Sequence, residues 1–265
     1  MKTAKKVVLR SGAILAVAVA AASVSVPVFA DFSATVAGSN MYLWRGQAIS
    51  GSSPQISGSL DFKDASGVFA GVWGSSEGPY DNSSETDLYA GYSGKAGDFS
   101  YGFTLWQYVY SSKPGTVHTG SDLNDGVTDP SEWQVSLGYG PVSFSALVDT
   151  NDSDNQYYTL GLTIQKFSAV LGTWMRDEAE GEKSEYSHLD LYFQATDELK
   201  FGVSAVIDPA KADLAKGEYV GGLVANTSVT DAVYDDAGEL VGGHMQVQDK
   251  DPLFYVSYSK TFDIK

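Results

Sequence analysis

Residues 157–165 read Tyr157-Tyr158-Thr159-Leu160-Gly161-Leu162-Thr163-Ile164-Gln165, and their alternation indicates a β-strand. Its aliphatic side chains fall on every second residue, which is the period of a β-strand with one apolar face. The other face carries Tyr, Thr, Gly and Gln, whereas a strand facing water would carry Lys and Glu. A face of aliphatic residues opposite a face of small polar residues is typical of a strand between lipid and the interior of a barrel.

The same alternation recurs along the chain. In residues 199–208 the apolar side chains again take every second position, with Val206 as the exception, and residues 132–140 repeat the pattern. Applied throughout, the alternation predicts about twelve strands. They are expected near residues 32–45, 54–62, 67–75, 86–93, 98–110, 132–139, 142–149, 156–164, 167–176, 186–195, 198–208 and 252–263.

Connections of two kinds join the predicted strands. Tight turns, such as 63–66 and 94–97, alternate with long polar connections, above all 111–131 and 209–251. Short turns at one end and long loops at the other are typical of outer-membrane barrels. We therefore predict a single domain, residues 31–265, folded as an all-β antiparallel transmembrane β-barrel.

The 209–251 connection is too long for a bare loop. Asp208 stands at a capping position, Pro209 at the first helical position and Gly217 at the end of a helical pattern. We therefore expect a short helix within this connection.

Residues 1–30 have the pattern of a secretory signal peptide. Basic residues occur between Lys2 and Arg10, an apolar run follows from Ala13 to Ala22, and Val28-Phe29-Ala30 forms a cleavage pattern. We predict that this segment is removed on export and that the mature protein lies in the bacterial outer membrane.

Composition excludes several classes of function. The 265 residues include no cysteine, which excludes a disulfide framework, a Cys-ligated metal site and a catalytic thiol. The formal net charge of −16 argues against nucleic acid as a partner. Charged residues make up 19% of the chain, fewer than the roughly 25% of a typical soluble domain, and Gly and Tyr are correspondingly abundant. This balance favours a barrel whose outer surface does not face water.

Three short segments resemble a known family. They are Tyr42-Leu43-Trp44-Arg45-Gly46, then Ser66-Gly67-Val68-Phe69-Ala70-Gly71-Val72-Trp73-Gly74-Ser75, then Asp87-Leu88-Tyr89-Ala90-Gly91-Tyr92. Their order and spacing are similar to those of the TorF-family porins, which are also filed as the Gcw_chp family of bacterial outer-membrane proteins. The resemblance implies an outer-membrane β-barrel with a porin role, and it brings no catalytic or binding residues.

Strand parity separates interior from lipid-facing positions. By parity the following charged residues line the lumen: Arg45, Asp61, Asp87, His188, Asp190 and Lys200. These charges carry both signs, so they either pair across the lumen or form a ring that selects a permeating solute. Aromatic residues towards the strand ends are expected to form a girdle at the membrane interfaces, namely Trp44, Trp73, Trp106, Trp174 and Tyr192.

The long connections are acidic. Carboxylates there would raise the local concentration of cations at the mouth of a channel, and they are Asp122, Asp125, Asp129, Asp235, Asp236 and Glu239. The expected partners are outer-membrane lipid, small solutes or cations, and the barrel-assembly machinery, which would read the C-terminal strand with Phe262 as its last aromatic residue.

The catalytic and metal motifs in the chain are weak. Gly74-Ser75-Ser76-Glu77-Gly78 matches a nucleophile elbow, but the residues after it do not form the helix that an elbow requires. Residues 149–154 are rich in oxygen ligands, yet they lack the Gly and the late Glu of a calcium-binding loop. We therefore predict no catalytic residue, no metal site and no cofactor.

Two functions fit this pattern. The first is a passive channel for small solutes or ions, favouring cations, because a closed barrel with a polar lumen lets water and solutes pass. The alternative is a barrel that only anchors long acidic loops, with a binding, adhesive or lipid-modifying role at the cell surface.

Overall fold

The computed structural model describes residues 31–50, 53–78, 84–111, 131–175, 182–183, 185–208, 211–213, 219–220, 227–234, 240–247 and 251–264. Within them, no helix is long and apolar enough to cross a membrane. The strands, in chain order, are β1 (Asp31–Ser39), β2 (Leu43–Trp44), β3 (Gln47–Ala48), β4 (Gln55–Lys63), β5 (Val68–Ser75), β6 (Ser84–Ala96), β7 (Phe99–Ser111), β8 (Ser131–Tyr139), β9 (Val142–Asp149), β10 (Gln156–Ile164), β11 (Phe167–Met175), β12 (Glu182–Lys183), β13 (Tyr186–Gln194), β14 (Leu199–Asp208), β15 (Lys211–Asp213), β16 (Tyr219–Val220), β17 (Thr227–Tyr234), β18 (Leu240–Val247) and β19 (Leu253–Ile264).

Twelve of these strands form a closed antiparallel barrel. Its order is β1-β19-β14-β13-β11-β10-β9-β8-β7-β6-β5-β4, and β1 closes the ring by pairing with both β4 and β19. Closure satisfies the backbone hydrogen bonds of every strand without leaving an edge. The predicted all-β transmembrane barrel of about twelve strands is confirmed.

The two ends of the barrel differ. Tight turns join β4 to β5, β6 to β7, β8 to β9, β10 to β11 and β13 to β14 at one end, where β1 begins and β19 ends. We call this end the base, and we call the opposite end, where the long connections lie, the mouth. The predicted signal peptide, residues 1–30, lies outside the described residues.

The outer face of the barrel is apolar. Phe144, Leu160 and Leu171 are register partners on neighbouring strands, and each is exposed. Aliphatic side chains are exposed in the same way around the barrel, at Leu60, Leu88, Leu105, Val135, Leu191 and Val256. So large an exposed apolar surface is explained by contact with lipid.

Replacement of Leu160 by lysine tests this assignment of faces. Leu160 lies mid-strand with 53% of its surface exposed, so a lysine there should lower the free energy of unfolding by about 2–4 kcal/mol in lipid vesicles. The neighbouring Thr159→Lys places the same charge on the inner face and should cost much less. Equal losses for the two variants, measured by urea titration, would contradict the assignment.

Two local predictions are wrong. The first strand ends at Ser39, not near residue 45, because the chain turns inward and forms the β2–β3 hairpin. The expected short helix after Asp208 is also absent from the described residues, since Lys211–Asp213 is a strand. This strand pairs with β18 in a three-stranded sheet with β17.

The buried core lies inside the lumen near the mouth. It includes a cluster of Tyr157, Trp174 and Tyr186, against which Val206 packs. Val206 therefore breaks the alternation of β14 because it packs against this interior cluster. Buried polar residues accompany the aromatic ones, among them Glu85, Asp87, Glu132, His188, Asp190 and Ser204.

Candidate functional site

A hairpin folds into the mouth of the barrel. Strands β2 and β3 pair through Leu43 with Ala48 and Trp44 with Gln47. Between them, Arg45 and Gly46 adopt φ angles of 48° and 80°. Two successive positive φ values are typical of the tight turn of a two-residue hairpin. The turn projects Arg45 and its neighbours towards the far wall of the lumen.

Arg45 makes the central ionic contact of this hairpin. Its Nη2 atom lies 2.6 Å from both Oε1 and Oε2 of Glu132 on β8, and both side chains are buried. The Tyr108 hydroxyl donates to Oε2 of the same carboxylate at 2.7 Å. A buried and hydrogen-bonded ion pair of this kind is strongly destabilised when one partner is removed.

Aromatic rings enclose the guanidinium of Arg45. Its Cζ atom lies 4.4 Å from the ring centre of Trp44, 4.5 Å from that of Tyr157 and 5.1 Å from that of Trp174. Rings at these distances attract a cation through their negative faces. Burial lowers the pKa of Arg45, but the facing Glu132 and the neighbouring Tyr108 and Tyr186 together outweigh it, and the net direction is upward. The guanidinium is therefore charged, and we call this group the Arg45 cluster: Arg45, Trp44, Tyr108, Glu132, Tyr157 and Trp174.

A second set of contacts holds the backbone of the hairpin against β13. The Tyr186 hydroxyl donates to the carbonyl oxygen of Arg45 at 2.8 Å. Gly46 lies against the ring of His188 so closely that a Cβ atom would overlap it. The hairpin is therefore fixed at its tip to both sides of the barrel, through Glu132 and through β13.

His188 belongs to a chain of buried hydrogen bonds. Its Nε2 atom lies 2.7 Å from the Tyr157 hydroxyl, and its Nδ1 atom lies 3.0 Å from Oδ1 of Asp190. Ser204 donates to the same Asp190 oxygen at 2.5 Å. The serine thus contacts the carboxylate rather than the imidazole, so these residues lack the serine–histidine contact that activates a nucleophile. Since His188 is 1% and Ser204 0% exposed, the chain supports the wall behind the hairpin.

The predicted lumen charges all lie on the inner side of the barrel wall, but they do not form one ring. Asp61 accepts hydrogen bonds from Ser59 and Tyr89. Lys200 lies over the rings of Tyr192 and Tyr255, with Nζ 4.9 Å and 5.6 Å from their centres. His188 and Asp190 bind each other, and Arg45 pairs with Glu132, so the ionic contacts are local pairs. Asp87 lines a cavity described below.

The five residues predicted as an aromatic girdle are inside the barrel. The Nε1 atom of Trp106 donates to Gln134, and that of Trp174 donates to Asn155. The hydroxyl of Tyr192 donates to Asp190, while Trp44 and Trp73 line the interior cavity at the mouth. Strand parity explains this placement, because the strand tryptophans share a face with Gly and Ser positions, and that face is the interior. Exposed outer-face aromatics lie at both ends instead: Trp133 and Phe254 towards the mouth, and a larger group near the base, namely Phe32, Phe99, Tyr101, Tyr139, Phe167, Phe193 and Phe262.

A cavity of about 490 Å³ lies between the hairpin and the wall formed by β4 to β10. We call it the mouth cavity. It is lined by Glu85 and Asp87 on β6 and by aromatic side chains from both the hairpin and the wall. Glu85 Oε2 and Asp87 Oδ1 are buried and have no hydrogen-bond partner. A buried carboxylate oxygen without a donor is costly, so this pair is the chemically unsatisfied part of the lumen.

A second cavity of about 540 Å³ lies nearer the base. We call it the base cavity. Gln134 lines both cavities, and the Trp106–Gln134 hydrogen bond of 2.8 Å lies where they meet. The inner wall of the base cavity is built of small residues: Ser93, Ser100, Gly102, Thr104, Ser136, Gly138, Ser143, Ser145 and Thr159.

The predicted acidic mouth residues, Asp122, Asp125, Asp129, Asp235, Asp236 and Glu239, lie outside the residues whose side chains are described.

Sequence reasoning missed Glu85, Glu132 and Tyr108. The inner-face parity of their strands was a usable signal, since Glu85 shares a face with Asp87. Among the described residues, no group of three or more acidic or histidine side chains is arranged to hold a metal ion.

A family model described as "Bacterial protein of unknown function (Gcw_chp)" matches residues 21–234. The chain belongs to the Gcw_chp family. The inward hairpin, both buried networks and the two carboxylates of the mouth cavity are all formed by residues within this match.

Comparison with other proteins adds one structural likeness to the Gcw_chp assignment. The crystal structure of outer membrane protease OmpT from Escherichia coli aligns with 89% of this chain and 96% of that chain, at 10% sequence identity and a TM-score of 0.21. No curated protein matches the chain.

Replacement of Gly46 by alanine tests the docking of the hairpin in this Gcw_chp protein. The added Cβ meets both a positive φ and the His188 ring, so we expect a loss of about 2 kcal/mol or more in the free energy of unfolding. Trypsin should also begin to cut after Arg45, which is otherwise buried. Gly97→Ala is the control, because Gly97 has a positive φ of 62° but open space around it. Identical losses and identical resistance to trypsin in both variants would contradict the docked hairpin.

Proposed function

We propose that this Gcw_chp protein is an outer-membrane channel for passive movement of small polar solutes or ions, with the β2–β3 hairpin as its constriction. The observation that supports it most directly is the pair of lumen cavities that adjoin at Gln134, running from the hairpin towards the base. A polar lumen inside a lipid-facing barrel needs no further chemistry to pass water and solutes.

The charges beside the constriction favour cations. Arg45 is neutralised by Glu132 at 2.6 Å, whereas Glu85 and Asp87 hydrogen-bond to each other. Two buried acids in contact hold one proton between them, so this pair contributes one negative charge rather than two. The balance of charge at the mouth cavity is therefore negative. A negative lining raises the local concentration of cations and lowers that of anions.

The outer surface supports placement in the outer membrane. Aliphatic side chains cover the mid-strand positions, and phenylalanine and tyrosine gather towards the base on the same face. This order of apolar band and aromatic residues matches the layers of a bilayer. A porin role agrees with the TorF resemblance, and outer-membrane lipid and the barrel-assembly machinery are the partners that this role requires.

Flux through refolded protein in liposomes tests the proposal. Ser136→Trp fills the base cavity and should lower the rate of ion efflux several-fold relative to wild type. Val135→Trp is the matched control, because the adjacent residue lies on the outer face with 42% exposure. Wild-type protein that folds but carries no flux, or equal flux in the two variants, would contradict the proposed path.

A further inference from the structure

We infer that the mouth cavity binds a small organic amine in its protonated, primary ammonium form. This inference rests on the proposed function and names the class of solute that the channel takes. It is carried by three features of one cavity: unsatisfied carboxylate oxygens, aromatic walls and a volume suited to a small molecule.

The two carboxylates supply the charge and the acceptors. Glu85 is 3% exposed and Asp87 is 7% exposed, and one oxygen of each lacks a partner. Tyr42, Tyr110 and the carboxyl group of Asp87 all hydrogen-bond to Glu85, so the two acids are held in contact with each other. The two side chains lie two residues apart on the inner face of β6, where one ligand reaches both. A ligand with several N–H donors and a positive charge satisfies both oxygens.

Aromatic rings form the rest of the wall. Tyr42 and Trp73 pack with ring centres 5.8 Å apart, and Tyr89 and Trp106 pack at 4.8 Å. All four line the cavity together with the two carboxylates. Ring faces attract an ammonium group and also pack against its hydrocarbon stem. The volume of about 490 Å³ lies within the range of small-molecule sites.

The other charged ligands fit less well. A divalent metal ion prefers more oxygen ligands than two carboxylates supply, and no larger acidic group is found in the described part of the chain. An anion would meet the two carboxyl groups, while Arg45, the only guanidinium among the described lining residues, is already bound by Glu132. A quaternary ammonium has no N–H group to donate to the two free oxygens.

Calorimetric titration of the refolded full-length barrel in detergent tests the inference, with butylammonium chloride as the probe. We expect saturable one-to-one binding that is about tenfold or more weaker in the Glu85→Gln/Asp87→Asn variant, because charge-assisted hydrogen bonds are lost. Asp98→Asn removes an exposed carboxylate at the base and should bind like wild type. Tetramethylammonium and butanol should each bind more weakly than butylammonium.

Two outcomes would overturn the inference. One is absence of saturable binding to folded wild-type protein, and the other is equal binding by wild type, the double carboxylate variant and Trp73→Leu. Trp73→Leu keeps both acids and should still weaken binding, so it serves if the double variant does not fold. Ion flux measured on the same preparation distinguishes failure of the amine site from failure of the channel function. Flux without amine binding agrees with a channel but contradicts the amine site, whereas absence of flux contradicts the channel itself.

Discussion

Replacing residues 40–54 with Asn-Gly should raise the conductance of the refolded protein several-fold. Ser39 and Gln55 are register partners at the ends of β1 and β4, so a two-residue Asn-Gly turn closes the gap with the geometry that hairpins prefer. The change removes Arg45 and Trp44 from the mouth and leaves the barrel strands intact. The measurement is single-channel recording of both proteins in planar bilayers.

Replacement of residues 112–130 by a Gly/Ser linker of about eight residues is the control for this experiment. This deletion variant shortens another connection at the mouth, between β7 and β8. The linker spans the offset between Ser111 and Ser131, since Ser131 pairs with Gln107, and so leaves Tyr108 and the hairpin in place. We expect the deletion variant to keep channel activity without the several-fold gain. Loss of channel activity in this variant would favour the alternative that the long loops carry the function. Unchanged conductance in the Asn-Gly variant would contradict the hairpin as the constriction.

Replacing Arg45 with alanine should have the largest effect on stability. The change leaves the Glu132 carboxylate buried, with 8% of its side chain exposed, and without its cation. It also removes the guanidinium that packs against three aromatic rings. Breaking one side of a buried ion pair costs roughly 3–5 kcal/mol. We therefore expect a drop of that size in the free energy of unfolding, measured by urea titration in vesicles.

A second substitution separates the charge from the packing. In Arg45→Ala/Glu132→Gln no buried charge is left unpaired, so part of the lost stability should return. Lys95→Ala is the control for loss of an exposed cation, beside the tight turn at the base, and should change stability by less than about 0.5 kcal/mol. If Arg45→Ala behaves like Lys95→Ala, the Arg45–Glu132 pair does not hold the hairpin.

The barrel could be predicted from the sequence because each strand has one face towards lipid and one towards the lumen, which gives the residues a period of two. Strands β8, β9 and β10 occur at or within one residue of their predicted limits, since lipid selects one face and a crowded lumen selects the other. The inward turn of the chain after Ser39 could not be predicted in this way. Tyr42-Leu43-Trp44 continues the alternation, and local sequence does not show that the chain turns into the lumen at that point.

Strand parity, rather than residue type alone, decides whether an aromatic residue faces lipid or the lumen. Their position near strand ends predicts the lipid interface for Trp106 and Trp174. Their strands place Thr104 and Gly172 on the same face, and this face is the interior. The tryptophans lie inside because Arg45 and the amide side chains of Gln134 and Asn155 offer a cation and acceptors there. Which carboxylate pairs with Arg45 depended on long-range closure, so Glu132 was not predictable from its own segment.

Different parts of the barrel determine its placement in the membrane and its selectivity. The outer face and the closed ladder of strands place the protein in lipid, and they depend on local alternation. The lumen carries the specificity, through the Arg45 cluster, the chain from Tyr157 to Ser204, and the carboxylates of the mouth cavity. These interior groups come from the mouth ends of several strands and from one hairpin, so a change in a few of them alters passage without altering the barrel.

Single-channel recording of the refolded wild-type protein under a salt gradient tests whether the barrel conducts ions and which sign of ion it favours. We predict discrete conductance steps with a reversal potential displaced towards that of the cation, because the two lumen cavities adjoin at Gln134 and the Glu85–Asp87 pair gives the mouth cavity a negative charge. A folded, heat-modifiable barrel that shows no steps would contradict the channel, and a reversal potential on the anion side would contradict the role given to Glu85 and Asp87.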